Sequence, residues 1–247
     1  MQVSKYNASG NDFIIFHTFK EIDRSILAQK LCDRQKGVGA DGLIVLVPSE
    51  KYDFKWQFYN SDGSVASMCG NGTRACAHYA YINGLADSKM SFLTGAGVID
   101  CEVEGSVVKT KMTPYIKIKE SFEEHGMKWY FYDTGVPHLV SFVEDLSKFD
   151  VGLARRMRQK YNANVNFTKL IDGSLHVRTY ERGVENETLA CGTGMVACFV
   201  SAYEEGLIGD QIKVYPTSKE ELEISIKDDI LYFKGAVSKV FDTSIDV

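Results

Sequence analysis

Two cysteines in matching settings are the residues best placed to do chemistry. Cys69-Gly70-Asn71-Gly72-Thr73-Arg74-Ala75-Cys76 is answered 122 positions later by Cys191-Gly192-Thr193-Gly194-Met195-Val196-Ala197-Cys198, one C-G-[NT]-G-x-x-A-C pattern in each half. The match continues with Ala80-Tyr81 against Ala202-Tyr203 and Gly84-Leu85 against Gly206-Leu207, so the chain carries an internal duplication. Cysteine followed by a glycine-rich turn into a helix puts sulfur where the helix dipole and uncommitted N–H groups favour thiolate. Two such thiols brought face to face make an acid and base pair. That pair suits inversion of a stereocentre next to a carboxylate: a thiolate removes the α-proton on one face and a thiol returns a proton on the other. The N–H groups of Gly70-Asn71 and Gly192-Thr193 could stabilise the charge that builds on the carboxylate. The two sulfurs would titrate as a coupled pair.

The elements needed to position them can be read from apolar patterning. Strands are expected at 3–6, 13–17, 43–47 and 54–59, with a helix over 25–33. A helix over 70–83 ends at Gly84, and short strands follow at 91–93, 98–103 and 107–112. The second half repeats the theme with strands near 128–132, 139–143, 166–171 and 175–180, a helix over 192–205, and final strands from 212 to about 241. The fold class is α/β (α+β) in two related halves. Residues 1–113 plus approximately 237–247 form the half carrying Cys69, and approximately 114–236 the half carrying Cys191.

Composition narrows the function. A length of 247 residues with 45% hydrophobic content can bury substantial cores. A net charge of −5, without clusters of Lys and Arg interleaved with aromatics, argues against nucleic acid as a partner. No apolar run approaches the roughly 20 residues that span a bilayer, so no membrane partner is expected, and the protein reads as soluble and cytoplasmic. In that compartment the six cysteines read as thiols rather than disulfides. No C-x-x-C occurs and the five histidines show no ligand spacing, so no metal site is expected. Cys32, Cys76, Cys101 and Cys198 read as small buried hydrophobes. Gly37-Val38-Gly39-Ala40-Asp41-Gly42 satisfies G-x-G-x-x-G but follows a helix and precedes a strand, the reverse of the dinucleotide fingerprint, so it reads as a turn. No Walker A, H-E-x-x-H or G-x-S-x-G pattern supplies another chemistry.

Six segments together carry a family resemblance: Ala8-Ser9-Gly10-Asn11-Asp12-Phe13, Asn60-Ser61-Asp62-Gly63-Ser64, Met68 to Arg74, Pro137-His138, Tyr180-Glu181-Arg182-Gly183 and Ala190 to Gly194. In order, and along nearly the whole chain, they resemble the diaminopimelate epimerases. The resemblance implies two pseudo-symmetric domains, each with β-strands wrapped around a central helix, and an active site in the cleft between them. It implies interconversion of LL- and meso-diaminopimelate with no cofactor, Cys69 and Cys191 being the acid and base. By the same resemblance Asn71, Gly192 and Thr193 hold the carboxylate at the reacting centre. Asn11, Asn60, Asn164, Glu181 and Arg182 recognise the distal amino-acid end of this small-molecule substrate. Their chemistry suits that end, because Arg182 can grip a carboxylate bidentately and Glu181 can accept from an ammonium. His138 is either a site residue or a histidine that orders the loop after Pro137. Homodimer formation is left open.

The chain departs from the family's usual pattern at three places. Gly42 stands where many members have Gln, Val136 where many have Asn, and the loop 183–189 is one residue longer. The first two lie near the distal end of the substrate. A racemase of another amino acid, of histidine or proline type, is the nearest alternative, although Arg74 and the Glu181-Arg182 pair favour diaminopimelate. A non-catalytic thiol redox or metal-binding module is the alternative from another class.

Overall fold

The structure is a computed structural model that describes residues 1–246. Val247, the last residue of the half expected to carry Cys69, lies outside the described residues. The first half contains β1 (Gln2–Ala8), β2 (Asn11–His17), α1 (Ser25–Cys32), β3 (Gly42–Val47), β4 (Phe54–Asn60), α2 (Gly70–Ile82), β5 (Lys89–Thr94), β6 (Gly97–Glu104) and β7 (Val107–Lys111). The second contains β8 (Ile116–Glu124), β9 (Met127–Asp133), β10 (Pro137–Phe142), α3 (Val151–Tyr161), β11 (Asn164–Ile171), β12 (Ser174–Glu181), β13 (Asn186–Thr188), α4 (Gly192–Glu204), β14 (Gln211–Tyr215) and β15 (Leu222–Lys227). After β16 (Ile230–Ala236), β17 (Ser238–Ser244) returns to the first half and pairs antiparallel with β1, Gln2 opposite Ser244. By its contacts the chain divides into one unit of Met1–Lys111 with the segment from Lys234 onward, and a second of Met112–Phe233.

The duplication extends to topology. In the first unit β1–β2 is antiparallel, β2–β3 parallel, β3–β4 antiparallel, β4–β5 parallel and β5–β6 antiparallel. In the second the same sequence of pairings runs through β9–β10, β10–β11, β11–β12, β12–β14 and β14–β15. Parallel neighbours need a crossover, and helices supply it. The first parallel step is bridged by α1 in one unit and α3 in the other, the second by α2 and α4.

Side-chain alternation along the strands feeds two apolar layers. In β2 and β3, Phe13, Ile15, Ile44 and Leu46 pack with Ala75, Cys76 and Ala80 of α2. Their alternates Ile14, Phe16, Leu43 and Val45 pack with Ala28 and Leu31 of α1. The second unit repeats this, with Val177, Val214 and Ile224 against α4 and Leu139, Val165 and Phe167 against Leu153 and Met157 of α3. Accordingly α2 is buried continuously from Asn71 to Ala80 and α4 from Gly194 to Ala202, whereas α1 and α3 each bury one stripe.

The strands β8 and β13 and the helix α3 add to the elements expected from the sequence. The strand β8 is exposed over most of its length, so burial does not impose a pattern on its Lys- and Glu-rich sequence. The helix α3 is strongly charged, and its buried stripe consists of Leu153, Ala154 and Met157 alone; Asp150 caps it by accepting from the Leu153 N–H at 2.8 Å. The segment 183–189, expected as a loop, contains β13, which pairs with the end of β12. The segment between α1 and β3 is a helix-to-strand turn, as its order of elements requires.

Candidate active site

Both motif helices run 13 residues and have a cysteine as N-cap, Cys69 on α2 and Cys191 on α4. They end alike. Gly84 and Gly206 take φ of +66° and +67°, and the N–H groups of Leu85 and Leu207 donate back to the Ala80 and Ala202 carbonyls at 2.9 Å each. An α-helix leaves its first N–H groups without helical acceptors. In α2 one of them, on Gly72, donates to the Cys69 sulfur at 3.5 Å. In α4 the Thr193 hydroxyl lies 3.6 Å from the Cys191 sulfur. A Cβ added to Gly70 or to Gly192 would meet nothing within 4 Å, so each helix start opens onto space that another molecule can enter. Elsewhere burial pushes the Cys32 and Cys101 thiols up to about 12, and those of Cys76 and Cys198 well above their ordinary value.

In the first unit a polar chain ties the helix start to β2 and the turn before β3. The buried Arg74 guanidinium donates to Asn71 Oδ1 at 2.9 Å and to Ser9 Oγ at 2.6 Å. Asn71 Nδ2 donates to Asn11 Oδ1 at 2.6 Å, and Asn11 Nδ2 donates to Asp41 Oδ2 at 3.0 Å. A guanidinium can only donate and a carboxylate can only accept, so the two ends fix the sense of both amides between them. Arg34 bridges Asp41 and Asp12 at 2.8 Å each, and Lys5 reaches Asp12 at 2.7 Å. Burial opposes ionisation of Asp12, yet its bonds to Arg34 and Lys5 hold the carboxyl well below the usual carboxylate range. Asn60 stands apart, donating to Ser64 Oγ at 2.9 Å in its own turn. Gly42, opposite Asn60 across β3 and β4, has no room for a side chain: an added Cβ would lie 2.7 Å from a Phe58 ring carbon and 2.9 Å from the Tyr59 carbonyl oxygen.

In the second unit His138 is fully buried on β10, with Nε2 2.8 Å from Thr193 Oγ1. It thus contacts α4 directly. Burial drives its imidazole down to about 3, and the Arg182 charge acts in the same direction, so it is neutral. Asn164 Oδ1 accepts from the Arg182 N–H at 2.8 Å, while the Arg182 guanidinium donates to the Asn162 carbonyl at 2.9 Å. Asn162 is the left-handed C-cap of α3, so the helix unassigned from sequence helps to seat Arg182. Burial raises the Glu181 carboxyl above its ordinary range. The longer segment after it is pinned by Arg158–Glu185 at 2.6 Å and by Arg178, which grips Glu187 through two nitrogens.

The structure thus gathers Asn11, Cys69, Gly70 and Asn71 in one unit, and His138, Asn164, Glu181, Arg182, Cys191, Gly192 and Thr193 in the other. Asp41 and Asn166 are polar positions that motif reading passed over; Asn166 is fully buried on β11 beside His138. Among the described residues no group of three or more His, Cys, Asp or Glu could hold a metal ion, and no helix is long and apolar enough to cross a membrane.

This arrangement has relatives among solved structures. A PhzF-family phenazine biosynthesis protein from Enterococcus faecalis superposes with a TM-score of 0.78 at 13% identity, covering 100% of this chain and 99% of the other. A probable proline racemase from Agrobacterium radiobacter does so with 0.70 at 14%, covering 100% and 93%. The chain therefore has the two-domain, pseudo-symmetric α/β fold of these proteins. Sequence likeness is narrower. The diaminopimelate epimerase family profile matches residues 3–118 and 130–240. The diaminopimelate epimerase of Nitratiruptor sp. is 57% identical over 244 residues, 98% of each chain. That of Campylobacter jejuni is 51% identical over 245 residues, 99% of this chain and 98% of the relative, and that of Helicobacter pylori 41% over 251, covering 94% and 92%. The chain belongs to the diaminopimelate epimerase family.

Proposed function

We propose that this protein interconverts LL- and meso-diaminopimelate, an isomerase step of lysine and peptidoglycan precursor biosynthesis, by two-base proton transfer without pyridoxal phosphate or another cofactor. The observation that carries the reading is the duplicated cysteine N-cap on two buried helices of equal length. One sulfur, as thiolate, takes the α-proton and becomes a thiol. The electron pair left on carbon delocalises into the carboxylate, and the other thiol gives its proton to the opposite face and becomes the thiolate. The reverse reaction exchanges the roles. Asn71, Gly192 and Thr193, with the open N–H groups at both helix starts, would hold the carboxylate, favouring the charge that develops on it. Glu181, Arg182, Asn11, Asn60 and Asn164 would read the distal ammonium and carboxylate. With Phe58 and the Tyr59 carbonyl filling the space beside Gly42, no side chain at position 42 adds to that recognition. Cys32, Cys76, Cys101 and Cys198 are buried without disulfide partners, in keeping with a cytoplasmic setting.

The test is epimerisation of LL-diaminopimelate, coupled to a meso-specific dehydrogenase, by the wild type and by Cys69→Ala, Cys191→Ala and Cys198→Ala. Both N-cap variants should lose turnover while staying folded, whereas Cys198→Ala should lose about 0.5–3 kcal/mol of stability and keep its activity when folded. More than about a tenth of wild-type turnover in Cys69→Ala, a barrier change under about 1.4 kcal/mol, would exclude the two-base assignment.

A further inference from the structure

The second unit holds a hydrogen-bond sequence whose direction can be worked out atom by atom. Asn166 Nδ2 donates to the Leu139 carbonyl at 2.9 Å, and Asn166 Oδ1 accepts from the Thr179 hydroxyl at 2.8 Å. A carbonyl cannot donate, so the nitrogen end of the amide is fixed. The same Nδ2 lies 3.1 Å from His138 Nδ1, and its second hydrogen makes that ring nitrogen the acceptor. A neutral imidazole that accepts at Nδ1 carries its proton on Nε2. Nε2 lies 2.8 Å from Thr193 Oγ1 and can only donate to it, which leaves the hydroxyl hydrogen for the Cys191 sulfur at 3.6 Å. Asn164 does not reverse this order. Its Oδ1 accepts from Arg182, and its Nδ2 lies 3.4 Å from both the Pro137 carbonyl and His138 Nε2, longer contacts than the 3.1 Å and 2.8 Å at which Asn166 and Thr193 meet the ring.

We propose that Asn166 is a positioning residue for proton transfer at Cys191: it fixes His138 as the Nε2-protonated imidazole, so that His138 donates to Thr193 and Thr193 donates to the sulfur. A hydroxyl that donates to sulfur stabilises thiolate over thiol. The arrangement is built into the backbone, because Gly194 has no Cβ and an added one would lie 2.4 Å from Asn166 Oδ1. That explains the second glycine of the C-G-T-G motif. The groups around the imidazole are Asn164 and Asn166 from β11, Thr193 from α4, and the Arg182 charge at the end of β12. Cys198, further along α4, is a titratable group that interacts electrostatically with Cys191.

The proposal rests on Cys191 as a proton-transfer group, yet its test needs no turnover. Long-range proton–nitrogen spectra of protein labelled with nitrogen-15 histidine, with His138→Gln to assign the resonance, report the protonated nitrogen directly. His138 should be neutral with its proton on Nε2 from pH 5 to pH 9. In Asn166→Asp the acceptor carboxylate should draw the proton to Nδ1, turn Thr193 toward Nε2, and leave roughly tenfold less Cys191 thiolate at a given pH, read from the pH profile of iodoacetamide labelling at the Cys191 peptide. Thr193→Val should move that labelling profile in the same direction while His138 stays protonated on Nε2, and it keeps the test intact if Asn166→Asp does not fold. A wild-type proton on Nδ1, an imidazolium at neutral pH, or an unmoved labelling profile in Thr193→Val overturns the proposal. Failure of the wild type to epimerise diaminopimelate, with spectra and labelling as expected, overturns the epimerase reading instead.

Discussion

Two glycines of one motif, a single residue apart, should respond to the same substitution in opposite ways. At Gly194 an added methyl would lie 2.4 Å from Asn166 Oδ1 and 3.2 Å from Thr179 Oγ1, closer than the 3.0 Å that real Cβ contacts respect in the first case. Asn166 is fully buried and hydrogen-bonded to Leu139, Thr179 and His138, so it cannot withdraw without breaking some of those bonds. Overpacking costs about 1–3 kcal/mol and a buried polar group left unpaired about 1–3 kcal/mol, offset by about 1 kcal/mol from replacing glycine within a helix. The net loss for Gly194→Ala is about 1–5 kcal/mol, set against the roughly 5–15 kcal/mol that holds a domain folded. At Gly192 the methyl meets nothing within 4 Å, so Gly192→Ala should gain about 0.5–1 kcal/mol. The same methyl would occupy the open space at the α4 start where the substrate carboxylate is proposed to sit, so the stabilised protein should be nearly inactive. Urea unfolding followed by Trp129, fully buried in the second unit, in a Trp56→Phe background reads the stability. With a slope of about 1–3 kcal/mol per molar urea, the two midpoints should separate by roughly 0.5 M or more. Equal midpoints would refute the packing argument; a fully active Gly192→Ala would refute the carboxylate position.

The buried histidine gives stability a pH dependence. Unfolded, His138 protonates near 6.5, whereas folded it stays neutral to about 3; the unfolded chain therefore binds more protons between those values, and stability is fully present above about pH 6.5 and falls by up to ~1.4 kcal/mol per unit as pH drops. The buried His78, also lowered by burial, acts in the same direction, so His138→Gln should reduce the slope of urea midpoints between pH 4.5 and 7 without abolishing it. Arg182→Ala leaves the backbone bond to Asn164 in place and should cost roughly 10- to 150-fold in kcat/KM for diaminopimelate, the value of a bond to a charged group, with little change in unfolding midpoint. Faster α-proton exchange with proline or histidine than with diaminopimelate would refute the distal role of Arg182.

The motif cysteines, their helices and most strands were legible because repetition and apolar alternation are one-dimensional signals. The duplication in fact carried more than motif reading drew from it. Once α1 is known to bridge the first parallel step of one unit, its counterpart in the other is required, and Asp150 followed by Leu153, Ala154 and Met157 is the segment that meets it. Its charge hid it, since three buried positions among arginines and lysines give a weak apolar count. Asn166 was invisible for a different reason. Within the strand Asn-Val-Asn-Phe nothing distinguishes its amide from that of Asn164, and only the close approach of Gly194 and the His138 ring shows what it does. Gly42 read as the loss of a family side chain; Phe58, which fills its space, is sixteen positions away and cannot be paired with it by spacing.

The pairing of β1 with β17 has a consequence for synthesis on the ribosome. The unit carrying Cys191 is one continuous stretch, Met112–Phe233, and all its strands are in hand once that stretch has emerged. The unit carrying Cys69 begins first but leaves β1 without its outer neighbour until the residues opposite Gln2 and Val3, Ser244 and Thr243, have been added. The usual N-terminal-first order of domain maturation is thereby reversed. Until β17 has been made, β1 must stay unpaired on that edge beside a growing chain, exposed to pairing with other strands. A nonsense mutation just before β17 would accordingly damage the unit that carries Cys69 while sparing the one that carries Cys191.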